Sequence, residues 1–322
     1  MSTRRSILLL FAPALLCGLC WLLAALISEQ QTVGYACGAI LRSLPPLLMA
    51  AWPLWGAVLW KVGGLRWQLA AVGVLGVVFM GWPPRAEPGR RPEEHVVVVA
   101  NVNAYTGNEA TLEAALAALG ADAVITVEQR GHRIAGMTRV ADNLDQPLPR
   151  PSFGSAAYCR DVSRCAASVS PLVGSETMAM PIVLLRIAES CVLGLHAPPA
   201  YPYDATGIQP YVSTLIDMTE HGVLRHDQGA CRQGDPVVLA GDLNAVPGSL
   251  AYRRLRNAGF VDLRRGVGVY GLTWPTGGGW PSVPLMRLDH VFVGAAEVRL
   301  LKTVRLPDTD HKALLLAISP AR

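Results

Sequence analysis

Apolar residues crowd the first 84 positions and then break into short blocks separated by polar turns, so the chain has two unlike parts. Three apolar runs fill the first part. Ile7–Ser28 (ILLLFAPALLCGLCWLLAALIS) is uncharged. A second run lies within Thr32–Trp60, interrupted by Arg42 and Pro45–Pro46, and the third is Leu65–Trp82. A span takes ~20 predominantly apolar residues, so the pattern predicts three transmembrane helices over residues 1–82. Arg4 and Arg5 precede the first run, and Lys61 and Arg66 separate the second from the third. The positive-inside rule then holds the N-terminus in the cytoplasm. Everything after Trp82 lies outside, as the extracytoplasmic part of a multi-pass plasma-membrane protein. A cleaved signal peptide fits less well, because its apolar region is ~7–15 residues and further runs follow here.

Residues 83–94, beginning PPRAEPGRRP, read as a stiff Pro-rich linker. Residues 95–322 then alternate strand and helix patterns. His95–Asn101 (HVVVVAN) is a continuous β-branched run, as expected of a strand buried on both faces. Asn108 caps a predicted helix that runs to Leu119 and stops at Gly120. Further strands are predicted at Asp122–Glu128, Ile182–Ile187, Cys191–His196, Pro236–Gly241, Leu288–Val293 and Ala313–Ile318. Helices are expected at Gln209–Leu224 and Ser249–Asn257.

Charge changes the picture in one respect. Only 16% of residues are charged, against about a quarter in soluble domains. Residues 1–84 hold five basic residues and one acidic, and residues 85–322 hold 23 of each. The excess of positive charge therefore belongs to the apolar part. A neutral second part disfavours nucleic acid as partner, since duplex affinity depends on basic contacts to phosphates. Four cysteines fall there: Cys159, Cys165, Cys191 and Cys231. Three pairings are possible; Cys159–Cys165 with Cys191–Cys231 would suit an oxidising compartment, and four free thiols are the alternative.

Candidate chemistry collects where strands end. Asn101, Glu128 and His196 close three of the predicted strands, and Asp242 follows a fourth. In layered α/β folds, loops at one end of a sheet build the site. In Gly241-Asp242-Leu243-Asn244, alternation points Asp242 and Asn244 the same way. Such a pair can fix one water, with the carboxylate accepting its proton and the amide orienting it. An Asx turn leading into Pro247-Gly248 is the plainer reading. Asp289 follows Leu288, and Asp310 and His311 point apart along extended backbone. His132, His221 and His226 lack ligand spacing and read as surface residues. His290 reads as structural. Trp274 and Trp280 flank Thr276-Gly277-Gly278-Gly279 and either rim a substrate or pack the loop.

Asn101-Val102-Asn103, Glu128, Gly241-Asp242-Leu243-Asn244, Arg287-Leu288-Asp289 and Thr309-Asp310-His311 follow, in order, the motifs of the endonuclease/exonuclease/phosphatase superfamily. The resemblance covers about residues 95–320. With the apolar runs, the chain also resembles the VanJ-type branch linked to teicoplanin resistance. The resemblance implies an α+β four-layer sandwich, two β-sheets between helices, preceded by the three transmembrane helices. It implies phosphoester cleavage with Mg²⁺ or Mn²⁺, for which oxygen ligands are suited. Glu128 would be the principal metal ligand, helped by Asn101 and Asp310, with Asn103 nearby. Asp242 and Asn244 would orient the attacking water. His311, held by Asp289, would stabilise charge on phosphorus or act as general base. His196 would lie near the leaving group. Gly194, Val127, Thr309 and Ala313 depart from the usual residues and bear on substrate. The expected partner is a phosphorylated membrane lipid such as undecaprenyl phosphate or pyrophosphate. A nuclease, a sphingomyelinase-like phosphodiesterase and an inactive binding module are the rivals. No obligate protein partner is implied.

Overall fold

A computed structural model of the protein describes residues 90–320 apart from 104–108, 146–153, 176–178, 200–206, 264–270, 278 and 281. It also describes helical turns at 15–20, 22–24, 26 and 37–44. Among the described residues no helix is long and apolar enough to cross a membrane. This corrects the expectation of three transmembrane helices, and with it the multi-pass location and the extracytoplasmic placement. Arg42, within the second run, is buried and donates to the Ala24 carbonyl at 2.9 Å. Window hydropathy counts apolar residues, not helix continuity. The third run, Leu65–Trp82, lies outside the described residues.

The ordered elements are β1 (His95–Asn101), α1 (Glu109–Ala118), β2 (Ala123–Gln129), β3 (Thr138–Asp142), β4 (Gly154–Cys159), β5 (Cys165–Val169), β6 (Val173–Gly174), β7 (Ala179–Met180), β8 (Val183–Ile187), β9 (Ser190–His196), α2 (Ile208–Asp217), β10 (Thr219–Glu220), β11 (Val223–Leu224), β12 (Val237–Asp242), α3 (Leu250–Asn257), β13 (Val261–Asp262), β14 (Asp289–Val293), β15 (Val298–Arg305) and β16 (Lys312–Ile318). They build two six-stranded mixed sheets, β15-β16-β1-β2-β4-β3 and β13-β14-β12-β9-β8-β5. Their inner faces meet through Val97, Val99, Ile125, Leu185, Val192, Val238, Val291 and Leu316. The outer face of the first sheet carries Leu112 and Leu116 of α1. That of the second carries Tyr211 and Leu215 of α2, with Ala251 and Leu255 of α3. Every residue of β1 and β12 is buried, which their continuous apolar runs anticipate.

The predicted helix Gln209–Leu224 stops early, at Asp217. His221 and Gly222, at φ 51° and 80°, turn the chain so that β10 and β11 pair instead. Gly194 explains one departure from the family pattern. A Cβ there would lie 2.5 Å from Cγ2 of Ile125 on the opposite sheet, so glycine sits where the layers press together. The four cysteines pair as Cys159–Cys165 and Cys191–Cys231. The first joins β4 to β5, one strand from each sheet.

Candidate active site

Register brings the strand-end residues together. In the second sheet Asp242 pairs across β12 with His196 on one side and Asp289 on the other. In the first sheet Asn101 ends β1 beside Val127 of parallel β2, and β16 begins just after His311. The Asn101 amide donates to Oδ2 of Asp242 at 3.0 Å, joining the two sheets at this end.

Glu128 occupies a bulge. The β2–β4 register shifts between Val127 and Gln129, and Glu128 stands at φ 54°. Positive φ is costly for a residue with a Cβ and recurs at functional sites. The bulge turns the carboxylate out of strand alternation and toward His196, whose Nε2 lies 2.8 Å from its Oε1. Burial pushes the Glu128 carboxyl up, but the charge and hydrogen bond of His196, the charge of His311 and the Asn101 amide outweigh it. The carboxyl is therefore held below its ordinary range. Burial pulls His196 down, yet Glu128 and Asp242 raise it above the ordinary imidazole value. The His196 backbone N–H donates to the Tyr211 hydroxyl oxygen at 3.2 Å.

Asp242, Asp289 and His311 form a buried trio. His311 Nδ1 lies 2.9 Å from Oδ2 of Asp289 and its Nε2 3.7 Å from Oδ2 of Asp242. Burial would depress the imidazole, but the two carboxylates on either side lift it to about 10. Burial, with Asp289 alongside, lifts Asp242 to about 6. Of the two roles expected for His311, charge stabilisation fits this environment better, because the ring holds its proton. The Asn244 N–H donates to Oδ1 of Asp242 at 2.8 Å, and its side-chain amide donates to Ala197 O at 2.8 Å. This is the Asx turn; β12 ends at Asp242 and Asn244 stands at φ 50°, so strand alternation does not carry through the motif.

Asp310 is oriented by two donors. Nδ2 of Asn103 lies 2.7 Å from Oδ1, and Nε1 of Trp274 lies 2.9 Å from Oδ2. Such contacts are what fix a metal-binding carboxylate in place. Asn101, Glu128 and Asp310 thus offer oxygen donors that fit a hard divalent cation. Asp242, Asp289 and His311 also place ligand atoms within 4.8 Å of one another, so this trio too could hold a cation.

Every residue expected at the site falls at this one end. Several contributors escaped sequence reasoning. The Thr309 hydroxyl donates to Asn101 O at 2.9 Å, tying the Asp310 loop to β1. The Thr273 oxygen accepts from the N–H groups of Leu288 and Asp289, each at 3.1 Å. Trp274 serves the carboxylate directly rather than only the rim. His290 is structural, its Nε2 donating to Ala245 O at 2.7 Å while Arg287 donates to Nδ1. His132 is buried, against the expectation of a surface residue.

Two stacked mixed sheets thus meet at a carboxylate-rich end that carries a His–Asp pair. The sequence model of the Endonuclease/Exonuclease/phosphatase family matches residues 66–311. The chain belongs to that family, whose members include phosphatases and nucleases. Among solved structures it is similar to the catalytic domain of human Nocturnin, at 14% identity over 72% of this chain and 97% of that one, with a TM-score of 0.48. It is similar to the mannosyl-6-phosphatase of Bacteroides thetaiotaomicron, at 14% over 69% and 98%, with a TM-score of 0.48. It is also similar to a 3' phosphatase from Neisseria, at 15% over 69% and 98%, with a TM-score of 0.44. No curated protein matched the chain.

Proposed function

We propose that the protein is a divalent-metal-dependent phosphoester hydrolase whose substrate joins a phosphate or diphosphate to an apolar alcohol, of the polyprenyl (undecaprenyl) kind. The observation that carries the reading is the convergence of Asn101, Glu128, Asp242, Asp289, Asp310 and His311 at one end of both sheets. A bound Mg²⁺ or Mn²⁺ would supply charge neutralisation of the phosphoryl oxygens. Asn101, Glu128 and Asp310 would hold it. Asp242 accepts a proton from the attacking water while Asn244 keeps that water in line. The new P–O bond forms as the ester P–O bond breaks, and the leaving oxygen ends as an alcohol or a phosphate. His311, kept protonated between Asp289 and Asp242, donates to the charged phosphoryl oxygens. His196, paired with Glu128, faces the same centre.

The rim supports the apolar half of the substrate. Trp274 and Trp280 sit with ring centroids 5.3 Å apart, and Trp280, Val283 and Leu285 are 56%, 63% and 37% exposed. An apolar edge beside a metal-holding carboxylate suits an amphiphilic ester. Neutral charge over residues 85–322 weighs against nucleic acid. The VanJ-type branch forms no part of this reading, since it rested on the transmembrane expectation.

The test offers the purified full-length chain a polyprenyl phosphate, a polyprenyl diphosphate, sphingomyelin and plasmid DNA in parallel, with Mg²⁺ or Mn²⁺. Phosphate release from the polyprenyl esters is expected, abolished by EDTA. Glu128→Ala should cut kcat by roughly 10²–10⁴-fold. Cleavage of DNA alone would replace this reading with a nuclease.

A further inference from the structure

Glu128 stands at φ 54°, in the bulge between Val127 and Gln129. A left-handed residue with a Cβ persists only where its surroundings over-determine it. His196 holds the Glu128 carboxylate, but a side-chain contact alone leaves the backbone free to relax toward strand geometry. The chain on either side of the bulge has to be fixed as well.

Tyr158 of β4 reaches both sides. Its backbone pairs with Val124, ahead of the bulge. Its side chain, buried on the outer face of the sheet, carries the hydroxyl past the bulge. There the oxygen lies 3.1 Å from Oε1 of Gln129 and donates to His132 O at 2.7 Å. A phenol has one proton, and the shorter contact takes it. Turned end for end, the buried Gln129 amide donates to the phenol oxygen in return. That orientation also pairs its Nε2, which otherwise has no partner among the described residues. Burial lifts the phenol to about 12, so the hydroxyl keeps its proton and stays a donor. Removing it would leave a buried carbonyl and a buried amide short of a partner, a costly arrangement that the local backbone would shift to escape.

We propose that Tyr158 is a positioning residue for Glu128: with Gln129 and the His132 carbonyl it staples the chain across the bulge, and so holds the carboxylate where a divalent cation can use it. The consequence for the cation rests on the reading of Glu128 as a metal ligand given above; the staple itself does not. Tyr158 acts through the backbone, from the face of the sheet that α1 covers. Its hydroxyl therefore serves the site in the way that outlying hydrogen bonds serve metal-binding groups, by fixing their orientation.

Calorimetric titration of Mn²⁺ into the metal-free full-length chain reads the effect. Tyr158→Phe, which keeps the ring and removes the hydroxyl, should weaken Mn²⁺ binding by at least about fivefold. Gln129→Leu, which removes the amide, should do the same and serves if Tyr158→Phe does not fold. Thr219→Val is the control. It also deletes a buried hydroxyl, one that donates to Leu215 O at 3.1 Å, but in the β10–β11 hairpin, which bridges to Pro236 at the start of β12, away from the site. Thr219→Val should bind Mn²⁺ within about twofold of the wild type. In metal-free Tyr158→Phe, amide hydrogen exchange should quicken by about tenfold or more over residues 126–132 and stay unchanged over residues 208–217. Three results would each overturn the proposal: Mn²⁺ binding unaltered by the staple variants, an equal loss in Thr219→Val, or unchanged exchange over residues 126–132. If the wild type takes up no Mn²⁺, the cation reading falls. Quickened exchange confined to residues 126–132 would then still support the staple, and unchanged exchange would overturn it.

Discussion

His311 binds its proton more tightly in the folded chain than in an unfolded one, because Asp289 and Asp242 flank it. With a folded value of about 10 against an ordinary value near 6.5, its contribution to stability is complete below about pH 6.5. That contribution is lost as pH climbs toward 10. Asp242, raised to about 6, acts in the same direction at lower pH. Glu128, held below its ordinary range, adds stability above pH ~4.3 that disappears on acidification. The melting temperature of the metal-free protein should therefore fall between pH 6.5 and 10, and His311→Gln should flatten that slope. An unchanged slope would remove the ion-paired imidazole from the account. Asp289→Asn removes the charge that orients and protonates His311, and kcat should drop by roughly 10²–10⁴-fold with KM little altered.

The residues of the centre were legible because polar side chains closing buried apolar strands stand out. Asn101, Glu128, His196 and Asp242 each do so. Thr273, Thr309 and Trp274 were not, because their service to Asp289, Asn101 and Asp310 runs through space between distant loops. A lone His132 in a polar stretch says nothing about its burial, which packing alone determines.

Strands β1 and β12 could be read directly, being unbroken β-branched runs. Strand β4 (GSAAYC) could not. Its small residues carry weak strand propensity, and at Gly154 close neighbours leave no room for a Cβ. Gly154 shows the constraint: a Cβ would lie 2.5 Å from Gln129 O, at the bulge that turns Glu128. At β15 a register shift between Leu300 and Lys302 breaks the alternation that marks a strand. Gly194→Ala is expected to destabilise by about 1–3 kcal/mol through overpacking against Ile125, read by urea denaturation. The Cys191–Cys231 pair, 40 residues apart, ties β9 to the loop before β12. Replacing both by alanine should cost roughly 3–4 kcal/mol on the loop-closure argument. A change under 1 kcal/mol in the same denaturation would mean that packing of the second sheet, not the crosslink, holds that loop.

At the scale of the molecule, the division of labour is between two sheets that each carry half of the site. The first supplies Asn101, Glu128, Asp310 and His311. The second supplies His196, Asp242 and Asp289. The Asn101–Asp242 bond spans them, so catalytic geometry depends on how the layers stack, and the core between them is part of the site's rigidity. The layered pattern was legible from alternating strand and helix signals and from the order of motifs. The apolar N-terminal runs led to an expectation that the structure does not bear out, because hydropathy over a window counts apolar residues and gives little weight to interruptions such as Arg42 and Pro45–Pro46.

In the proposed reading a cation would rest on oxygen donors of Asn101, Glu128 and Asp310, with Asp242, Asp289 and His311 serving the proton and the phosphoryl charge. Titration of Mn²⁺ into metal-free protein, followed by calorimetry, separates these two sets. Glu128→Gln should weaken Mn²⁺ binding by at least about tenfold, while His311→Gln leaves it within a few-fold of the wild type. Binding that survives Glu128→Gln but fails in His311→Gln would move the metal to the Asp242–Asp289–His311 trio and contradict the account.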